Sequence, residues 1–253
     1  MKTFSSFCRL MLLCLVCSFS MPAFSQGVAI YKKDGTMVKF AYEEIDSIVT
    51  YNYGEEPVTP VTYEAVDLGL PSGLKWANYN VGATKPEEYG GYYAWGETEE
   101  KEDYSWKTYK WCNGSYNTLT KYCTDSGIGT VDNKTVLDPE DDVAHVKWGG
   151  DWRMPTTEEQ GELIGNCTWE WTALNGVNGY KVTGPNGNSI FLPAAGCRYA
   201  SKLDGVGKLG FYMSGSLYSN NGNYGSLLYF SRFSYDCYCN YRYYGHTVRP
   251  VSE

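Results

Sequence analysis

The chain has 253 residues, a formal net charge of −8 at pH 7, and 16% aromatic residues, including 24 tyrosines. A net negative charge repels a phosphate backbone, so the composition argues against nucleic acid as a partner. The length is sufficient to bury a core that does not depend on disulfides.

The first 25 residues have the organisation of a secretory signal peptide. Lys2 and Arg9 give a basic start, residues 10–16 form an apolar run, and residues 23–25 are a small-x-small cleavage motif. The apolar run is shorter than the about 20 residues that a transmembrane helix needs. The sequence therefore predicts an exported chain without a transmembrane segment, which is periplasmic, secreted or on the cell surface.

Three further regions are predicted after the leader. Residues 26–53 are expected to form a small N-terminal β unit, because apolar residues alternate on both sides of an Asp-Gly turn signal at Gly35. Residues 54–62 contain two prolines and two acids and are interpreted as a linker. Residues 63–253 are predicted to be one domain of short strands. The alternating apolar residues of the N-terminal unit are Val28, Ile30, Val38 and Phe40.

Cysteine usage after the leader leaves the redox state open. An even number of cysteines in an oxidising compartment permits disulfides, but six cysteines allow fifteen pairings, so the sequence selects none. They are Cys112, Cys123, Cys167, Cys197, Cys237 and Cys239.

One helix has a clear start signal. Thr156 and Glu159 have the spacing of a capping box after Pro155, and Leu163 and Ile164 supply an apolar stripe. The pattern predicts a helix that ends near residue 166, followed by strands.

The segment from residue 210 to the end is the predicted recognition surface. It contains nine tyrosines interleaved with Ser, Asn and Gly, and it has no lysine. Tyrosine offers a large contact area at low entropic cost, and the small polar residues offer adaptable hydrogen bonds, so the mixture resembles an antibody paratope. The alternative is an ordinary tyrosine-rich antiparallel sheet. The predicted ligand-binding residues are Tyr218, Asn221, Tyr224, Phe233, Tyr235, Tyr238, Tyr241 and Tyr243.

The sequence gives little support for catalysis, a metal or a cofactor. Only two histidines are present, His145 and His246, and no nucleophile-elbow motif accompanies them. The acidic residues 138–142 lack the alternating spacing and glycine of an EF-hand loop. We therefore expect no catalytic residue, no metal ligand and no cofactor.

Four separated motifs occur in one order along the predicted domain. They are EAVDLGLPSGLKWA at 64–77, NVGATKPEEYGGYYAWGE at 80–97, GDWRMPT at 150–156 and TVRPV at 247–251. In these motifs the chain resembles the Fibrobacter succinogenes major paralogous domain family of exported Bacteroidetes proteins. The resemblance implies an α+β fold, a C-type-lectin-like domain with short antiparallel strands and one or two helices. It further implies that the first and last strands pair and that tryptophans within the motifs, such as Trp76 and Trp152, belong to the core.

The same resemblance also implies a function. It implies non-covalent recognition of a glycan or protein at the cell envelope or outside, with a carbohydrate-specific adhesin as one alternative. A second alternative is an enzyme on the scaffold of formylglycine-generating enzymes, for which Cys237 and Cys239 are a candidate redox pair. Between Ser214 and Ser252 the chain lacks Lys, Glu, Gln, Trp and Met. This absence is typical of a segment diversified at adenines by a retroelement.

Overall fold

The structure, a computed structural model, describes residues 27–31, 35, 37–41 and 63–253. The chain divides into two compact units, Met1–Val61 and Thr62–Glu253. The predicted leader, residues 1–25, and the predicted linker, residues 54–62, lie outside the described residues.

The described residues of the first unit form a hairpin. Strands β1 (Gly27–Tyr31) and β2 (Met37–Ala41) are antiparallel, with Val28 opposite Phe40. Gly35, between the strands, has a φ of +83°, a left-handed conformation that glycine adopts without steric cost. In this register Ile30 also lies opposite Val38, so the four alternating apolar residues face one another in pairs.

The second unit has eleven strands in four small sheets and two α-helices within the described residues. The strands are β3 (Ala65–Asp67), β4 (Lys75–Ala77), β5 (Thr168–Leu174), β6 (Val177–Thr183), β7 (Ser189–Pro193), β8 (Cys197–Tyr199), β9 (Lys202–Asp204), β10 (Leu209–Leu217), β11 (Tyr224–Ser231), β12 (Ser234–Tyr241) and β13 (Val251–Ser252). The helices are α1 (Val143–Trp148) and α2 (Thr157–Asn166), and a 3-10 turn at Pro139–Asp141 precedes α1. The sheet orders are β13-β4-β3, β5-β6-β7, β8-β9 and β10-β11-β12, all antiparallel.

This architecture corrects the predicted fold class. The structure is 38% strand and 10% helix over the residues it describes, so this part of the chain is mainly β rather than an α+β C-type-lectin-like domain. The physical reason lies in the sequence between the helices and the end of the chain. Aromatic and β-branched residues alternate with Gly and Asn turns there, which favours successive hairpins over helices. α1 is only six residues long and α2 only ten.

The ends of the second unit meet in one sheet, although not by direct pairing of the first and last strands. β4 lies between β3 and β13, with Trp76 opposite both Val66 and Val251. Arg249, which is 1% exposed, donates to the side chain of Asn80 and to three backbone carbonyl groups, including that of Phe191. This buried guanidinium fastens the last segment to the rest of the unit.

The predicted capping box of α2 is confirmed. The Thr156 hydroxyl accepts from the Glu159 amide at 3.3 Å, and the Glu159 carboxylate accepts from the Thr156 amide at 2.8 Å. Arg153 adds two charge-assisted hydrogen bonds to the same carboxylate, at 2.6 and 2.8 Å. α2 therefore begins at a fixed position beside the sheet β10-β11-β12.

That sheet is covered on both faces over β10 and β11. Tyr212 and Phe230 belong to a core cluster that also contains Leu163 of α2, and Met213 and Leu217 belong to a second cluster around Trp95. β12 is the outer strand of the sheet, and its residues alternate between exposed and half-buried. Exposed tyrosines of the C-terminal segment are consequently concentrated on β12 and at the ends of the sheet.

Candidate binding surface

The alternation of β12 separates the predicted binding residues. Tyr238 lies opposite Leu227, whereas Tyr235 lies opposite Phe230 and Tyr241 opposite Tyr224. Because successive side chains of a strand point to opposite faces, Tyr238 and Tyr241 do not share a face of β12. A surface that includes both must pass around the sheet.

A continuous series of ring contacts connects Tyr238 to Tyr241 through the protein. Successive ring centroids are 4.5 to 6.4 Å apart, the separation of interacting aromatic pairs. We call these eight rings the aromatic ribbon. In order, they are Tyr238, Tyr229, Phe211, His246, Tyr244, Tyr241, Tyr224 and Tyr218.

Two ribbon residues are exposed. The Tyr238 side chain is 63% exposed and that of Tyr241 is 37% exposed. The Tyr241 ring stacks on Tyr224 at 4.5 Å, and a hydrogen bond between these two tyrosines raises the pKa of Tyr224 to about 12. Trp106 and Tyr199, which is 48% exposed, extend this end of the ribbon through contacts with Tyr241 and Tyr244. The tyrosine hydroxyls of the ribbon can each donate or accept a hydrogen bond.

His246 is the buried link of the ribbon. Its ring stacks between Phe211 at 5.4 Å and Tyr244 at 6.0 Å, and the residue is only 2% exposed. Neither ring nitrogen has a hydrogen-bond partner among the described residues. Burial lowers the pKa of His246 to about 3, so the ring is neutral at neutral pH.

Arg242 holds the end of β12 to the loop that carries Tyr218 and Asn221. Its guanidinium is 1% exposed and donates to the Gly222 and Tyr122 carbonyl oxygens at 3.0 and 3.1 Å. The Asn221 side chain accepts from the amide of residue 223, which closes a local turn. The Tyr218 end of the ribbon is therefore attached to a rigid support.

Besides Asn221, three predicted aromatic residues are not members of the ribbon. Tyr243 is 8% exposed and packs in a core cluster with Trp106, although its ring also contacts Tyr241 and Tyr244. Tyr235 stacks on Trp169 at 4.6 Å, on the face that packs against the core. Phe233 is 91% exposed, at the turn between β11 and β12, and about 24 Å of strand separates it from Tyr241.

Sequence reasoning missed half of the ribbon. Phe211, Tyr229, Tyr244 and His246 were not among the predicted ligand-binding residues. The alternation of side chains along paired strands could have indicated that Tyr229 belongs to the ribbon, because a residue diagonal to Tyr238 on the neighbouring strand shares its face. The positions of Tyr244 and His246 depend on the path of the chain after β12, which no local pattern specifies.

Outside the ribbon, the acidic segment and the cysteines are the groups that the sequence singled out for metal or redox chemistry. No group of three or more potential metal ligands occurs among the described residues. The acidic segment is engaged in contacts within the protein, since the Asp141 carboxylate accepts from Lys121 at 2.7 Å and from the Tyr122 hydroxyl at 2.7 Å. The cysteines in the described residues are all free thiols, and burial raises the pKa of both Cys237 and Cys239.

A pocket of about 380 Å³ lies away from the ribbon. It is bounded by the loop from Gly150 to Met154, by Val136 and Leu137, and by Gly215 of β10. None of the eight predicted ligand-binding residues lines it.

Comparison with protein-family models, with curated proteins and with solved structures finds no match to this chain. In the part of the chain that the structure describes, no helix has the length and hydrophobicity of a membrane span.

Proposed function

We propose that the chain is an exported recognition protein that binds a glycan or protein ligand non-covalently through the aromatic ribbon. The observation that carries the proposal is the unbroken series of eight rings, with exposed tyrosines at Tyr238 and Tyr241. Stiff rings with neutral hydroxyl rims provide contact area and hydrogen bonds without the desolvation of charges. Such a surface suits an extended, neutral ligand.

The thiol chemistry favours binding over the enzyme alternative. A redox-active or nucleophilic cysteine reacts as its thiolate, which requires a lowered pKa. Burial instead raises the pKa of Cys237 and Cys239. The environment of this pair favours the unreactive protonated form.

The proposal is tested with the purified protein on a glycan array and against a displayed peptide library. Tyr238→Ala and Tyr241→Ala are expected to weaken any selected interaction at least tenfold, since each removes an exposed aromatic anchor. Tyr116→Ala is the matched control, because Tyr116 is 57% exposed and lies outside the ribbon. Binding that withstands both ribbon substitutions, or that falls equally with the control, would refute the assignment of the ribbon. A hit on only one of the two libraries would decide between glycan and protein.

A further inference from the structure

The turn between β11 and β12 presents an aromatic ring and a cation to solvent. The Phe233 side chain is 91% exposed and Arg232 is exposed beside it. The turn is nevertheless held by two hydrogen bonds. The Arg232 carbonyl accepts from the Tyr180 hydroxyl at 3.3 Å, and the Phe233 amide donates to the Ser231 hydroxyl at 3.2 Å. A phenyl ring held away from the protein by a fixed turn is the kind of anchor that fills a pocket on a partner.

The pocket described above has the complementary chemistry. Its walls include apolar side chains, Val136, Leu137 and Met154, and the ring of Trp152. Trp152 is held in place by an edge contact with Trp148 at 5.1 Å. A volume of about 380 Å³ lies near the lower limit for ligand pockets, which suits a single ring better than a large ligand.

The charges of the pocket are mostly negative. Its lining includes Asp142, Asp151 and Glu253, and its only Arg, Arg153, has its charge balanced by the Glu159 carboxylate at 2.6 Å. The described residues provide no hydrogen bond or ion pair to the Asp151 side chain, which is exposed. Asp142 is already engaged, since its carboxylate accepts from the Ala144, His145 and Met154 amides. A cation next to an inserted ring would therefore meet the exposed, unpaired carboxylate of Asp151.

The turn cannot reach the pocket of its own molecule. It adjoins the Leu209 end of β10, because Leu209 pairs with Ser231. The pocket includes Gly215, which lies six residues further along the same strand, or about 20 Å away. An occupant with the chemistry of Arg232 and Phe233 must therefore come from another molecule.

We propose that Phe233 and Arg232 of one copy of this chain dock into the Trp152 pocket of a second copy, with Arg232 facing Asp151. The turn and the pocket are different patches, so the contact is head-to-tail and each molecule offers one of each. This self-association is separate from ligand binding by the ribbon, since neither patch includes a ribbon residue.

Sedimentation equilibrium of the purified protein tests the proposal. The small contact area predicts weak association, so the average mass should rise between about 10 μM and about 1 mM. Phe233→Ala and Asp151→Arg should each lower the association constant at least tenfold, with near-UV circular dichroism unchanged because both side chains are exposed. Tyr116→Ala, which removes another exposed ring outside both patches, should not lower it.

Mixing the two variants provides the decisive measurement. The Phe233→Ala protein retains its pocket and the Asp151→Arg protein retains its turn, so an equimolar mixture should form one heterodimeric contact and stop at the mass of a dimer. A protein that stays monomeric at about 1 mM, association that Phe233→Ala does not alter, or a mixture that remains monomeric would each overturn the proposal.

Discussion

At the scale of single residues, the burial of His246 makes a prediction about acid stability. Its pKa in the folded protein, about 3, lies below the value of about 6.5 in an unfolded chain. The unfolded chain therefore binds more protons between these values, and the stability present above pH 6.5 decreases as the pH falls towards 3. This group alone should lower the free energy of unfolding by about 2 kcal/mol between pH 7 and pH 5. Urea unfolding of the wild-type protein and of His246→Phe at both pH values measures the difference.

The phenylalanine variant keeps an aromatic ring between Phe211 and Tyr244 and removes the titrating group. It should lose less stability on acidification than the wild type, by about the amount above. Phe211→Leu is the matched control, because it disturbs the stack without removing the histidine. Equal acid sensitivity of the wild type and His246→Phe would contradict the assignment of this effect to His246.

At the scale of elements, Arg242 connects the end of β12 to three other segments. Its guanidinium donates to the Lys121, Tyr122 and Gly222 carbonyl oxygens and to the Tyr109 hydroxyl. An ammonium group lacks the planar fork that makes these contacts, so Arg242→Lys should leave buried acceptors unsatisfied. We expect a loss of about 2–4 kcal/mol in the free energy of unfolding. Chemical denaturation measures it, with the exposed Arg232→Lys as a control that should change stability by less than about 0.5 kcal/mol.

The elements also show how far local patterns reach. The capping box of α2 was predictable because both of its partners lie within four residues, and the first hairpin was predictable from alternation around one turn. The fold class was not, because it depends on how many of the later segments become strands and how they are ordered. The burial of Tyr235 against Trp169 and of Tyr243 against Trp106 was not predictable either, because it depends on the same long-range arrangement of strands. Composition identifies a tyrosine-rich sheet, but only long-range packing decides which tyrosines reach solvent.

At the scale of the whole molecule, β12 separates two surfaces of different chemistry. One end meets the neutral hydroxyl-bearing ribbon at Tyr241, and the other end carries the exposed pair Arg232 and Phe233. Ligand binding at the first and self-association at the second are thus compatible. A head-to-tail assembly would present many ribbons at once, so that several weak contacts would act together through their effective concentration.

The final segment should determine whether the second unit folds at all. Residues 248–252 lie between two neighbours: Ala77 donates to the Pro250 carbonyl at 2.9 Å, and Val251 exchanges two backbone hydrogen bonds with Arg153. Deleting residues 248–253 removes this strand and the buried Arg249, whose side chain makes four hydrogen bonds. We expect the truncated protein to lose its cooperative thermal transition, whereas deletion of Glu253 alone, which leaves the pairing of Val251 with Trp76 intact, should preserve it. Calorimetry of the two truncations provides the comparison. A cooperative transition retained after the longer deletion would mean that closure through β13 is dispensable for folding.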